Sequence, residues 1–95
     1  MPYILSPRAQ AALGEIWDHT RSRWGSDQAE RYLRRIQAAL ELLARNPRLG
    51  RSASAIRRGY RKHPCGAHVI FYREIATGID VVRILHRRMD VPRHL

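Results

Sequence analysis

Five histidines, one cysteine and eighteen lysines and arginines are the side chains of this 95-residue chain that could do chemistry. Imidazoles titrate nearest neutrality, so the histidines are candidate acid-base groups or metal ligands. The metal reading needs spacings they lack. No pair stands at the i, i+4 interval of a helical zinc site, His86 and His94 are eight apart across a proline, and no Glu or Asp stands at a recognised ligand distance. Cys65, being alone, supplies neither a disulfide nor a cysteine zinc pattern, and its place beside Pro64 suits a structural thiol better than a nucleophile. The glycines at 25, 50, 59, 66 and 78 are too scattered to cradle a phosphate. No cofactor and no metal are expected, and no catalytic residue is assigned.

The cations are the stronger signal. Eighteen Lys and Arg against eight Asp and Glu give a net charge of +10. From Met1 to Ala44 there are six basic and five acidic residues, net +1; from Arg45 to Leu95 there are twelve and three, net +9. A surface so biased favours a polyanionic or acidic partner, whether nucleic acid, an acidic protein segment or an anionic membrane. A membrane fits worst, because the longest apolar run, Val69 to Tyr72, is far too short to span one. One domain covering residues 1–95, in the cytoplasm, is the expectation from length and cysteine usage. For Arg57, Arg58, Arg61 and Lys62 a solvated strand edge kept soluble by charge competes with a binding role. Beside a sheet, cations and imidazoles could also stabilise and protonate a cleaved RNA phosphodiester. A plain nucleic-acid binder would be expected to add stacking aromatics, and only Tyr60 and Tyr72 stand near the cations.

Those groups need elements to hold them. Tyr3-Ile4-Leu5 fits an edge strand, and Ser6-Pro7 is a helix start: serine caps, and proline at the first helical position loses nothing by lacking an N–H. Ala9, Leu13, Ile16, Trp17, Thr20 and Trp24 share one helical face, which predicts a helix over about 7–24 with Gly25 as a left-handed cap. Asp27-Gln-Ala-Glu30 has capping-box spacing, and Ala29, Leu33, Ile36, Leu40 and Leu43 then carry a second apolar stripe as far as Asn46-Pro47. So short a link makes the helices an antiparallel hairpin. Pro47 to Ile56 reads as a loop and Tyr60 to His63 as a strand, with a turn at Pro64-Cys65-Gly66. The runs Ala67–Arg73 and Ile79–His86 form a β-hairpin. Strict alternation sets Val69 and Phe71 opposite Ile70 and Tyr72, and Val81, Arg83 and Leu85 opposite Val82 and Ile84. The expected fold is α+β: an N-terminal strand, then an antiparallel two-helix hairpin packed on a small, mostly antiparallel sheet, in the order β-α-α-β-β-β.

One family shares this pattern in detail. Its elements here are Tyr3-x-Leu5-Ser6-Pro7-x-Ala9, Leu13-x-x-Ile16-Trp17, Trp24-Gly25, Gln28-Ala29-x-x-Tyr32, Asn46-Pro47-x-x-Gly50-Arg51 and His68-Val-Ile-Phe-Tyr-Arg73. The closing motif, Val82-Arg83-Ile-Leu-His86-x-x-Met89-Asp90-x-x-Arg93-His94-Leu95, is the most specific. Over nearly its whole length the chain resembles the ParE branch of the ParE/RelE toxins of type II toxin-antitoxin systems. The resemblance implies a cytoplasmic poison of DNA gyrase that acts by binding, breaks no bond itself and serves plasmid or chromosome maintenance. It implies a ParD-like antitoxin whose acidic, partly disordered tail wraps the toxin, in a hetero-oligomer that meets operator DNA only through the antitoxin. The expected target surface is Arg83, His86, Arg87, Arg88, Met89, Asp90, Arg93 and His94, supported by Arg57, Arg58 and Arg61. Trp24, Tyr32 and Ile36 are the expected antitoxin contacts, over the helical hairpin and the sheet edge. The rival RelE branch cleaves messenger RNA on the ribosome. Against it, His68 stands where that branch has arginine, and residues 51–56 lack its lysines. A non-toxic nucleic-acid-binding module is the third reading.

Overall fold

The computed structural model describes residues 3–89. The element order is β1 (Tyr3–Leu5), α1 (Pro7–Trp24), α2 (Ser26–Arg45), β2 (Arg51–Ser52), β3 (Tyr60–Cys65), β4 (His68–Ile75) and β5 (Gly78–His86). The strands form one sheet in the order β1-β5-β4-β3-β2, antiparallel except where β1 runs parallel to β5. The α+β fold and the helical hairpin are those expected. The sheet gains a strand, β2, inside the segment read as a loop: Arg51 and Ser52 pair with Lys62 and Arg61. Two residues are too few to show any periodicity.

Ser6 does more than cap α1. Its Oγ accepts the Ala9 N–H at 3.0 Å and donates to the Val82 carbonyl at 2.6 Å, while its own N–H reaches the Val81 carbonyl at 2.9 Å. One serine therefore fixes the helix start to the middle of β5. Gly25 links the helices, donating to the Arg21 carbonyl and accepting from Ala29. Its φ of 92° and ψ of 170° lie in the glycine-only extended region and not in the left-handed helical cap expected for it. Because Gly25 is itself the cap of α2, that helix starts at Ser26, and the capping box expected from Asp27 does not form.

The core lies between the helices and one face of the sheet. Ala9 and Ile16 of α1 and Ile36, Leu40 and Leu43 of α2 close on Ile70, Tyr72, Ile79, Val81 and Ile84. Each large aliphatic side chain so buried contributes about 1.5–3 kcal/mol. Val81 and Ile84 share this face although they are three apart, against the alternation expected for them. The cause is a bulge: Tyr72 pairs with Val81 and Phe71 with Arg83, so Val82 is an extra residue in β5. Beyond the bulge the facing reverses, and Arg83 lies across from Phe71 on the opposite face from Val81. The carbonyl of that extra residue is the one that accepts the Ser6 hydroxyl.

Candidate functional site

Two tyrosine hydroxyls position the surroundings of the site. Tyr72 of β4, fully buried, accepts the Gly50 N–H at 2.8 Å and donates to the Pro47 carbonyl at 2.7 Å, which ties the segment after α2 to the sheet. Tyr32 of α2 reaches the turn between β3 and β4, where its hydroxyl accepts the Ala67 N–H at 3.1 Å and lies 3.2 Å from the Cys65 carbonyl and 2.6 Å from His68 Nδ1. Burial pushes both phenols above their ordinary range. Each tyrosine lies against a glycine that has to be one: a Cβ on Gly66 would stand 2.6 Å from the Tyr32 ring, and a Cβ on Gly50 would strike the Tyr72 hydroxyl.

Tyr32 borders a cavity of about 480 Å³ between the linked end of the helical hairpin, beside the Gly25 turn, and the ends of β4 and β5. Ala12, Ile16 and Ile84 give it apolar walls, Trp24 and Met89 stand at its mouth, and Glu15, His19, His68 and His86 bring titratable groups to it. His68 and His86 are cross-strand partners with their rings edge to face, centroids 5.4 Å apart. His86 Nδ1 accepts the Arg88 N–H at 3.2 Å. Burial, then the neighbouring His86 and His19, lowers the His68 pKa below its ordinary value of 6.5. Cys65 is free and buried, and burial raises its thiol pKa. Among the described residues no cluster of His, Cys, Asp or Glu is arranged to hold a metal, and no helix is long and apolar enough to cross a membrane.

Of the residues expected on the target surface, Arg87, Arg88 and Met89 are exposed at the end of β5 and His86 is half-buried beside them. Arg83 is half-buried elsewhere, lining a separate hollow of about 400 Å³ with Ser6, Pro7, Arg8, Arg57, Tyr60 and Val82. The Arg57 guanidinium lies 5.9 Å from the centre of the Tyr60 ring. Arg58 is exposed, whereas Arg61 donates to the Gly50 carbonyl at 2.8 Å and thereby braces the segment beneath β2. Asp90, Arg93 and His94 lie outside the described residues. Of the expected antitoxin contacts, Trp24 is 68% exposed and shares the cavity with Tyr32, but Ile36 is 0% exposed. Ile36 is a correction: it lies on the stripe facing the sheet and offers a partner no surface.

Glu15 and His19 line the cavity and Tyr32 bonds His68, none of which the sequence marked. An exposed helical carboxylate or imidazole carries no local signal, and the His68–His86 pairing was beyond counting. Stepping back from the Ile75–Gly78 turn without a bulge sets His68 against Leu85, and only the extra Val82 brings His86 into register.

The fold and site define a class: a small basic α+β domain with a helical hairpin over one face of a mostly antiparallel sheet. The family model described as the ParE toxin of the type II toxin-antitoxin system parDE matches residues 3–91. The chain is 60% identical over 94 residues to Toxin ParE1 of Mycobacterium tuberculosis, covering 98% of this chain and 96% of that one. It is 42% identical to Toxin ParE1 of Caulobacter vibrioides (99% and 97% covered) and 33% identical to Toxin ParE of Escherichia coli (98% and 91%). A solved structure, the chromosomal ParDE TA system from P. aeruginosa, shares the fold with a TM-score of 0.76 at 23% identity, over 90% of this chain and 95% of that one. This chain belongs to the ParE toxin family, the toxin side of type II toxin-antitoxin systems.

Proposed function

We propose that this toxin arrests growth in the cytoplasm by binding DNA gyrase, and that a ParD-like antitoxin with an acidic, partly disordered tail silences it. The observation that carries the reading is the exposed run Arg87-Arg88-Met89 at the end of β5, in the half of the chain that holds nearly all the net charge. Exposed, consecutive cations beside an apolar side chain suit an acidic protein surface, where charge steers the encounter and the apolar group anchors it. Asp90, Arg93 and His94 continue that run in sequence, and Arg57 and Arg83 at a separate hollow, with exposed Arg58, add further cations. Trp24 and Tyr32 face the antitoxin at the linked end of the helical hairpin.

Purified toxin added to a gyrase supercoiling and cleavage assay is expected to inhibit supercoiling and to accumulate cleaved DNA. In parallel, a translating extract followed by primer extension on the message is expected to show no codon-linked cuts. Cuts in the message with gyrase unaffected would overturn the gyrase reading in favour of the ribonuclease one.

A further inference from the structure

We propose that the cavity between the helical hairpin and the ends of β4 and β5 seats an acidic, apolar segment of the antitoxin, one of whose carboxylates is received by the imidazoles of His68 and His86. The inference rests on the toxin-antitoxin reading and names the chemistry of its contact.

The lining selects the occupant. Trp24 at 68% and Met89 at 45% exposure are large apolar side chains turned to solvent at the mouth of one hollow, whose deeper wall is Ala12, Ile16 and Ile84. Large exposed apolar groups gathered at a concavity mark a docking site. The charge beside it is positive: Arg87 and Arg88 follow directly on His86, and Arg21 and Arg23 end the helix that carries Trp24. Glu15 is the sole carboxylate among the described residues that line the cavity. Apolar and acidic side chains on one segment complement both features, whereas a nucleic-acid backbone would complement the charge alone.

The hydrogen bonds make the imidazoles receptive. His86 Nδ1 accepts a backbone N–H from Arg88, so the neutral ring carries its proton on Nε2, where it is a donor. His68 Nδ1 is held by Tyr32, which leaves Nε2 for a ligand. The Tyr32 hydroxyl lies within reach of two acceptors, His68 Nδ1 and the Cys65 carbonyl. With His68 neutral, the hydroxyl donates to Nδ1; with His68 charged, Nδ1–H donates to the hydroxyl oxygen and the hydroxyl turns to the carbonyl. His68 can thus take up a proton without losing its partner. Facing it are Tyr32 and, further off, Arg35 from α2, Glu15 and His19 from α1, Cys65 from β3, and His86 followed by Arg87 from β5. Burial and the neighbouring imidazoles lower the His68 pKa, and a bound carboxylate would raise it. Binding then draws in a proton, and affinity rises as pH falls.

The test uses the full-length toxin and a labelled full-length ParD-like antitoxin, with fluorescence anisotropy from pH 8 to pH 6. Calorimetry in buffers of different ionisation enthalpy counts the protons taken up. Affinity is expected to rise about tenfold over that range with uptake approaching one proton. The double variant His68→Gln, His86→Gln should flatten the profile, and Trp24→Ala should weaken binding at every pH, with circular dichroism confirming that each is folded. A pH-independent affinity, or an unchanged slope in the histidine variant, would overturn the carboxylate contact. Antitoxin binding untouched by Trp24→Ala and Met89→Ala would overturn the cavity as the seat while leaving the toxin-antitoxin reading intact. Absence of antitoxin binding at any pH would overturn both.

Discussion

Tyr72 and Tyr32 are the same device built twice. Each hydroxyl crosses from one layer of the domain to the other, accepts a backbone N–H from a loop and lies close to a backbone carbonyl; each ring or hydroxyl occupies the space a glycine leaves clear. They differ in what surrounds them. Tyr72 is sealed in the core with 0% exposure, and its hydroxyl meets only backbone. Tyr32 opens on a cavity, and its hydroxyl is shared with an imidazole. A sealed latch is satisfied in one way only, so it serves stability. An open latch with a titratable partner has two satisfied arrangements, and that is what a binding site can use.

The contrast should be plainest at the glycine of the sealed latch. Gly50→Ala forces a methyl into the Tyr72 hydroxyl and close to the Lys62 carbonyl, 2.9 Å away, where neither neighbour has room to move. Overpacking together with broken buried hydrogen bonds should cost about 3 kcal/mol, read as a lower urea midpoint. Tyr72→Phe removes the hydroxyl alone and strands the Gly50 N–H and Pro47 carbonyl, for a loss of about 2 kcal/mol. Tyr32→Phe should cost only about 1 kcal/mol, because at the half-open end water can replace the lost partner. Equal losses for the two phenylalanine variants would erase the distinction between sealed and open.

Much of this was legible beforehand, for physical reasons that also mark where legibility stopped. Ser6-Pro7 announced α1 because both residues act locally, and the stripes of α1 and α2 were readable because a helix repeats its face several times. The bulge at Val82 was not, since a β-branched residue looks the same in or out of register and the bulge is held by Ser6, seventy-six residues earlier. That single displacement moved Arg83 away from Val81 and set His86 against His68. The open latch was hidden for the same reason: Tyr32 was expected at the antitoxin contact, but it meets His68 only through tertiary packing. Exposure was out of reach for Ile36, an apolar residue in the middle of a helical stripe, whereas the place of Trp24 at the end of its helix already favoured exposure, and it is 68% exposed.

Outside both latches, the exposed end of β5 should respond in function and not in stability. Arg87→Ala with Arg88→Ala removes two solvated cations, and the urea midpoint should shift by less than about 0.5 kcal/mol equivalent. Growth arrest on induction of the variant should be relieved by comparison with the native toxin. Full toxicity in a stably folded double variant would move the target surface elsewhere.

The smallest expected effect separates the latches most directly, because only the open one holds a group that titrates near neutrality. Burial first, and then His86 and His19, lower the folded-state pKa of His68 below 6.5. Between that lowered value and 6.5 the unfolded chain binds the proton more readily than the folded one, so stability rises with pH across the window. The contribution is fully present above about 6.5 and is lost as pH falls through that value towards the folded-state pKa. The urea midpoint should therefore be lower at pH 5.5 than at pH 7.5. His68→Gln should remove part of that difference, whereas Tyr72→Phe should lower both midpoints and preserve it. If His68→Gln keeps the whole pH dependence, the open latch holds no proton-sensitive partner, and what distinguishes it from the sealed one is exposure alone.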